Sequence, residues 1–375
     1  MFTGPLQVDF DITLKCMYRC KHCNVAAGDA LNDEMTFEQI KEVLNQLDDE
    51  GVSDVSITGG EPLLRKDCLD ILEYASTKRG FFLTLNTNGL LLTPDIIKFF
   101  EEKCPDIHVC VSLDGYTPET YSILRQRRVD ADDILSDEFN TVVHALRLLV
   151  RSKLKCSVNY TITKATLPYI YDTYDFIKRI GIKSILAIKF FPYGYGRQGR
   201  DVLELDYNLW SDFLMNLTVK KTTDLHYRGI QVSVTCPWEM YLPLLDNGFT
   251  RDDINDLYNY NSPLESELYR RFRSLGCHAG VTSCAISPNG DLYPCGTISA
   301  KFPPFICGNL KTESLHKIWN HSPVLKNLRS LDISELKGNC SRCRLSKLCG
   351  GGCRARAYVE YGDLCAKDYL CPIVD

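Results

Sequence analysis

Asp11-Ile-Thr-Leu-Lys-Cys16-Met-Tyr-Arg-Cys20-Lys-His-Cys23 decides how the rest of this chain is read. An apolar run, Gln7–Leu14, leads into it, and the cysteines follow with the spacing C-x3-C-x2-C on one short loop. Three thiolates so placed can hold three irons of a [4Fe–4S] cube and leave the fourth iron without a protein ligand. An open iron binds a substrate or a cofactor, so the arrangement points to chemistry rather than electron storage. A zinc knuckle or a loop of free thiols is the structural alternative. Structural zinc takes four protein ligands, and apart from His22 no fourth Cys or His lies nearby at conventional spacing.

The 375 residues suffice for two domains, or for one large domain with an appendage. A hydrophobic share of 45% and a charged share of 24% are ordinary for a folded soluble protein. The formal charge of −5 argues against a dedicated nucleic-acid binder. No apolar run is long enough to span a membrane, and the N-terminus lacks the basic and apolar regions of a signal peptide, so a cytoplasmic location is expected. Eighteen cysteines in such a chain read as metal ligands rather than disulfides. Cys68, Cys104, Cys110, Cys156 and Cys236 sit in apolar contexts and read as small core residues.

Short apolar runs alternate with amphipathic stretches from residue 7 to about 217. The pattern predicts strands at Gln7–Leu14, Asp54–Ile57, Phe81–Leu85, Ile107–Ser112, Lys155–Ile162 and Ile185–Phe190, and helices at about 36–50, 67–79, 94–103, 135–152 and 168–180. Thr36-Phe-Glu-Gln39 reads as a capping box, and Thr93-Pro94 as N-cap and first helical residue. Six such units predict an α/β fold, a partial (β/α)6 TIM-type barrel with its functional loops at the C-terminal strand ends. Residues 1–217 are thus expected to form the barrel and 218–276 a bridging segment, with a strand at Gln231–Thr235 and helices near 236–246 and 262–275. Residues 277–375 are Cys-, Gly- and Pro-rich and expected to form a small α+β domain stapled by metal.

Gly59-Gly60-Glu61-Pro62 follows the second strand, where two glycines permit a tight turn and open backbone N–H and C=O groups to a ligand. Asn86-Thr-Asn88-Gly89 ends the third strand and Ser112-Leu-Asp114-Gly115 the fourth. Both also read as ordinary Asx turns. Taken with the cysteine trio, these segments resemble the radical SAM family. The resemblance implies an iron that chelates S-adenosylmethionine, a GGEP turn at Gly59, Gly60, Glu61 and Pro62 against its methionine end, and Asn88, Ser112 and Asp114 near its ribose. His22 takes the place where the family has an aromatic near adenine, although an exposed loop histidine is an equal reading. Gly194-Tyr-Gly196-Arg197-Gln-Gly199 spells G-x-G-x-x-G, but it follows a late strand with no acidic ribose ligand downstream, so a Rossmann reading fails. It resembles instead the Pro-x-Gly-Arg segment of the family, which implies backbone near the cofactor and Arg197 on an anionic group.

Cys277-x12-Gly290-x4-Cys295 and Cys340-x2-Cys343-x5-Cys349-x3-Cys353-x17-Cys371 match the cysteine pattern of SPASM domains. Ser287-Pro-Asn-Gly290-Asp reads as a hairpin turn. The resemblance implies two auxiliary [4Fe–4S] clusters with crossed ligation, three clusters in all. The first would use Cys277, Cys295 and Cys353, with Cys284 the leading candidate for a fourth ligand, and the second Cys340, Cys343, Cys349 and Cys371. Two structural zinc sites are the alternative. Cys307 and Cys365 fall outside the pattern.

What the resemblance implies is a radical SAM oxidoreductase that makes a 5′-deoxyadenosyl radical and abstracts hydrogen from a peptide, as in ribosomal peptide maturation. The alternatives are the same chemistry on a small molecule such as a tetrapyrrole or cofactor precursor, or a sulfatase-maturase-like formylglycine activity. The last fits less well, because that group places an Asp directly after the cysteine matching Cys295, where this chain has Gly296. Expected partners are the substrate, an electron donor such as a flavodoxin or ferredoxin, and a separate peptide-carrier protein. No residue is assigned as a catalytic acid or base beyond the cluster.

Overall fold

The computed structural model describes residues 3–128, 137–233, 240–258, 275–298 and 302–372. The chain divides into two compact units, Met1–Glu204 with Gly280–Lys326, and Leu205–Ala279 with Asn327–Asp375.

The larger unit is built from βα repeats. Its strands are β1 (Gln7–Thr13), β2 (Asp54–Gly59), β3 (Phe82–Thr87), β4 (His108–Ser112), β5 (Lys155–Ile162) and β6 (Ile185–Lys189). Its helices are α1 (Phe37–Asp49), α2 (Cys68–Ser76), α3 (Pro94–Lys103), α4 (Pro118–Ser122), α5 (Glu138–Arg151) and α6 (Ile170–Ile180). The expected caps form: Thr36 and Gln39 make a reciprocal capping box, and the Thr93 hydroxyl accepts from Ile96 N–H with Pro94 beside it. Ile40, Val43, Leu44 and Leu47 form the buried stripe of α1.

The smaller unit holds β7 (Ile230–Ser233). The remaining strands, β8 (Ser283–Ile286), β9 (Asp291–Tyr293) and β10 (Gly308–Asn309), belong to the larger unit, where the sheet order is β10-β9-β8-β1-β2-β3-β4-β5-β6. β1 pairs in parallel with both β2 and β8, so the sheet is parallel from β8 through β6, with the six βα strands in the order of a partial (β/α)6 barrel. This pairing is why the compact units do not follow the expected boundary near 276. The β8–β9 hairpin, turned at Gly290 with φ +89°, adds to the edge of the barrel sheet and takes Cys284 and Cys295 with it. The helices Tyr207–Thr223 and Arg251–Tyr258 were not among the predicted elements. The helix expected at 262–275 lies outside the described residues save its last position, and so does Cys236.

Register decides the character of the two sheet faces. Partners across parallel strands share a face, and neighbours along a strand alternate. One face carries Val8, Phe10, Val55, Ile57, Leu83, Leu85, Val109 and Val111, all nearly inaccessible. The other carries Asp9, Asp11, Ser56, Thr58, Thr84, Asn86, Cys110, Ser112, Ser157 and Asn159. A helix can bury its apolar stripe only on the first face, so the polar one is the interior of the barrel. Its members bond to one another: Asn159 Nδ2 donates to Asn86 Oδ1 at 2.9 Å, and Ser157 Oγ lies 3.0 Å from His108 Nε2. Closed TIM barrels fill this space with branched apolar side chains; here it is lined for hydrogen bonding.

Candidate active site

The loop after β1 is closed at its base by two backbone bonds, Gly28 N–H to Leu14 O and Cys16 N–H to Gly28 O, at 2.9 and 2.8 Å. Leu14, Val25 and Ala27 form a small core against which Cys16 and Cys23 pack. A second tie runs along the loop: Arg19 N–H donates to Gln126 O and Lys21 N–H to Leu124 O, while Arg128 N–H donates to Met17 O. The segment after α4 thus holds the cysteine loop like an added strand, a partnership with no signal in the sequence.

Backbone amides point at two of the sulfurs, Tyr18 N–H at Cys16 and Ala27 N–H at Cys23, each at 3.4 Å. Burial pushes the Cys16 and Cys20 thiols up to about 12. Thiolates here therefore need a positive partner, which a cluster of ferric and ferrous iron supplies. Among the described residues no three Cys, His, Asp or Glu side chains converge on a single-ion site. A cube does not require convergence on one ion, because three of its irons take one thiolate each. The trio fits a cube better than a zinc ion.

Gly59 and Gly60 pass against the root of this loop. A Cβ on Gly59, whose φ is +125°, would lie 2.3 Å from Thr13 O, and one on Gly60 2.3 Å from Lys15 O. Gly60 N–H and Glu61 N–H donate to Thr13 O and Lys15 O, both at 2.8 Å. The Glu61 side chain is fully buried and turned inward. It accepts from Thr87 Oγ1 at 2.8 Å, Asn88 N at 2.7 Å and Leu63 N at 3.2 Å. The carboxylate is thus spent within the fold, where it ties the end of β2 to the end of β3. Pro62 is buried and opens a short 3-10 turn. Asn88 closes an Asx turn onto Leu90 N–H and sets its Nδ2 3.0 Å from Met17 Sδ, which brings it to the cysteine loop.

At the end of β4, Ser112 is half-buried and Asp114 fully buried. Asp114 accepts from Thr161 N–H at 2.6 Å and pairs with Arg125 Nη2 at 2.8 Å. Arg125, absent from the sequence-based set, is 8% exposed, and its Nε has no hydrogen-bond partner. Cys20 is among the groups whose charge it feels. His22 Nε2 lies 3.9 Å from Asp114, but burial pushes its pKa down to about 4, so at neutral pH it is an uncharged imidazole. A buried guanidinium with a spare N–H beside the cysteine loop is suited to a carboxylate.

Gly194, with φ +57°, reaches the same loop: a Cβ there would lie 2.3 Å from Asn24 O, and Tyr195 N–H donates to Cys23 O at 2.9 Å. The Arg19 guanidinium stacks 4.9 Å above the Tyr195 ring. The segment therefore approaches the loop through Gly194 and Tyr195, whereas Arg197 is exposed.

The later cysteines divide between the units, Cys284 and Cys295 in the larger, Cys277, Cys340, Cys343, Cys349, Cys353 and Cys371 in the smaller. Cys284 shares the face of Val8 and is 1% exposed. Within the smaller unit, Cys340, Cys343, Cys349 and Cys371 line one solvent-open cavity. Gly276 N–H donates to Gly350 O at 2.9 Å, which lays the approach to Cys277 beside the glycine loop that precedes Cys353. A buried ion pair locks that loop: Asp368 accepts from Arg356 Nη2 at 2.6 Å and from Cys353 N–H at 2.7 Å. Arg354, 1% exposed, donates to the carbonyls of Leu364, Ala366 and Gly351. Of the thiols read as core, Cys68, Cys104 and Cys110 are buried and Cys156 is half-buried.

Residues 10–177 match the Radical SAM superfamily, and residues 277–344 match SPASM, an iron–sulfur cluster-binding domain. The chain is a radical SAM enzyme with a SPASM domain. Its cofactors are [4Fe–4S] clusters and S-adenosylmethionine. The AdoMet-dependent heme synthase of Methanosarcina barkeri is 26% identical over 372 residues, 99% of this chain and 97% of that one. The mycofactocin maturase MftC of Mycobacterium ulcerans is 25% identical over 358 residues, 95% of this chain and 84% of that one. The crystal structure of Streptococcus suis SuiB bound to S-adenosylmethionine superposes with a TM-score of 0.73 at 20% identity, over 99% of this chain and 78% of SuiB, and shares the fold. No described helix of this radical SAM enzyme is long and apolar enough to cross a membrane.

Proposed function

We propose that this radical SAM enzyme abstracts hydrogen from a peptide, with Cys16, Cys20 and Cys23 as ligands of the cube at the barrel mouth. The bound cluster and S-adenosylmethionine supply a 5′-deoxyadenosyl radical when an electron is delivered. The chain's own residues position and shield. The backbone of Gly59 to Pro62 faces the methionine end, Arg125 receives its carboxylate, and Asn88, Ser112 and the neutral His22 line the nucleoside end, while Asp114 holds Arg125 in place. Cys340, Cys343, Cys349 and Cys371, together in the smaller unit, hold an auxiliary cluster.

One observation carries the choice of substrate. The barrel interior is a largely polar band from β1 to β5, rich in hydroxyl, amide and carboxyl side chains, which are groups that bond the N–H and C=O of a peptide backbone. A second reading, a tetrapyrrole, is favoured by the end-to-end match with the heme synthase. The test is anaerobic reduction of the iron-loaded enzyme. Formation of 5′-deoxyadenosine that is lost in Cys16→Ala supports the radical assignment, and its persistence in that variant overturns it. Hydrogen loss from a peptide encoded beside the gene supports the peptide reading. Modification of an iron porphyrin bearing propionates, with peptides untouched, overturns it.

A further inference from the structure

Two carboxylates stand on the interior face of β1 with no role in the site described above. Asp9 and Asp11 are two residues apart, so both side chains leave the strand on the same side, about 7 Å apart along it. Their register neighbours on that face are Ser56 and Thr58 on β2 and Ala285 on β8, none of which carries a positive charge. Asp11 is 4% exposed, and its Oδ2 has no hydrogen-bond partner. Burial, and Asp9 beside it, push Asp11 up to about 8. Asp9 keeps accessible surface although its strand is paired on both sides, and burial within the barrel pushes its carboxyl up to about 6, so it faces a recessed space rather than open solvent.

That space is bounded by the catalytic apparatus. A Cβ on Gly296 would lie 2.3 Å from Asp9 Oδ2, so the carboxylate occupies the place a side chain at 296 would take. Asn24 Nδ2 donates to Gly296 O at 3.1 Å and hitches this wall to the loop just after Cys23. On the other side, a Cβ on Gly59 would meet Asp11 Cβ at 3.4 Å. The acid pair thus lies between the Gly59 turn, the cysteine loop and Gly296.

A buried carboxylate oxygen without a donor is costly, and a second carboxylate beside it adds repulsion. A cation with several N–H donors relieves both at once. We infer that Asp9 and Asp11 form a substrate subsite for an alkylammonium or guanidinium group, so that the peptide acted on presents a basic side chain or an amino terminus to the barrel interior. The inference rests on the peptide reading and names its chemistry. The cation anchors one end of the substrate at β1 and leaves an aliphatic stem to cross toward the cofactor end of the barrel.

The test uses the iron-loaded enzyme with S-adenosylmethionine and two probes of equal length, perdeuterated n-butylammonium and perdeuterated butyrate. Saturation-transfer NMR reads binding, and mass spectrometry reads deuterium carried into 5′-deoxyadenosine. The expected result is a preference for the ammonium of about tenfold or more, the ratio that about 1.4 kcal/mol gives. Asp9→Asn and Asp11→Asn are each expected to shrink that preference, with iron content and S-adenosylmethionine binding measured on the same samples. Equal binding of the two probes by the unaltered enzyme, a preference for butyrate, or a preference that survives in an iron-replete Asp9→Asn, Asp11→Asn double variant overturns the subsite. A lack of any 5′-deoxyadenosine would instead overturn the radical reading, and the NMR preference of the unaltered enzyme still decides the subsite.

Discussion

Replacing Glu61 by alanine removes the acceptor that joins β2 to β3 beneath the cofactor end of the barrel. Two of its donors, Thr87 Oγ1 and Asn88 N, are buried, and leaving each unsatisfied costs about 2 kcal/mol. The Leu63 N–H, at 3.2 Å and partly accessible, adds less. Against this stands relief of a penalty. Burial raises the Glu61 pKa from 4.5 to about 6, so the ionised form at neutral pH carries about 2 kcal/mol that the substitution removes. The net loss expected for Glu61→Ala is therefore about 2 kcal/mol. Glu61→Gln removes the same penalty and keeps one acceptor oxygen, so it should lie within about 1 kcal/mol of the parent. Because the folded pKa lies above the unfolded one, the protonated residue favours folding below pH 4.5, and that contribution is lost as pH rises through about 6. Glu61→Gln should flatten this part of the profile. Urea unfolding of the cluster-free protein, followed by circular dichroism between pH 4 and 7, measures all three quantities. An alanine variant as stable as the parent, or a glutamine variant as damaged as the alanine one, would refute the view that Glu61 is a buried clamp.

Gly60→Ala should abolish 5′-deoxyadenosine formation, because its Cβ would meet the Lys15 and Leu14 carbonyl oxygens at 2.3 and 2.7 Å, both backbone atoms at the root of the cysteine loop. Gly51→Ala, where φ is +72° but nothing lies within 4 Å, should cost only about 1 kcal/mol and keep activity; equal damage in the two would sink the close-approach argument. In the smaller unit, Arg356→Met strands the Asp368 carboxylate, whose pKa burial would push up but Arg356 and backbone donors hold below the usual range, at an expected cost of about 3–5 kcal/mol. A double-mutant cycle with Asp368→Asn should return a coupling of about 2 kcal/mol, and a value under about 0.5 kcal/mol would show the two acting independently. Lys221, fully buried with Nζ on the Ile230 and Arg228 carbonyls, is lowered by burial from 10.5 to about 8. A depressed lysine favours folding above its unfolded pKa and loses that as pH falls through the folded one, so stability should rise by up to about 3 kcal/mol between pH 8 and 10.5. The same rise in Lys221→Met would assign it to another group.

The predicted strands and helices of the barrel appear within one to three residues of their expected ends, because a βα repeat writes itself locally in apolar runs, caps and glycine turns. The cysteine spacings were legible for the same reason: ligands on one loop must be close in sequence to be close in space. Arg125 left no such trace. It pairs with Asp114 and lies within electrostatic reach of Cys20, and neither relation has a fixed spacing.

The sequence by itself determined the order of the βα units, and its cysteine spacings pointed to the cofactor class, since both depend on neighbours along the chain. Only the tertiary structure decided that β8 joins β1, that Glu61 turns inward, and that Asp9 meets Gly296 across the barrel interior. Those relations join residues up to 287 positions apart, for Gly296 and Asp9 (296 − 9), and nothing local constrains such a pair until the β8–β9 hairpin pairs with β1 and carries Gly296 beside it.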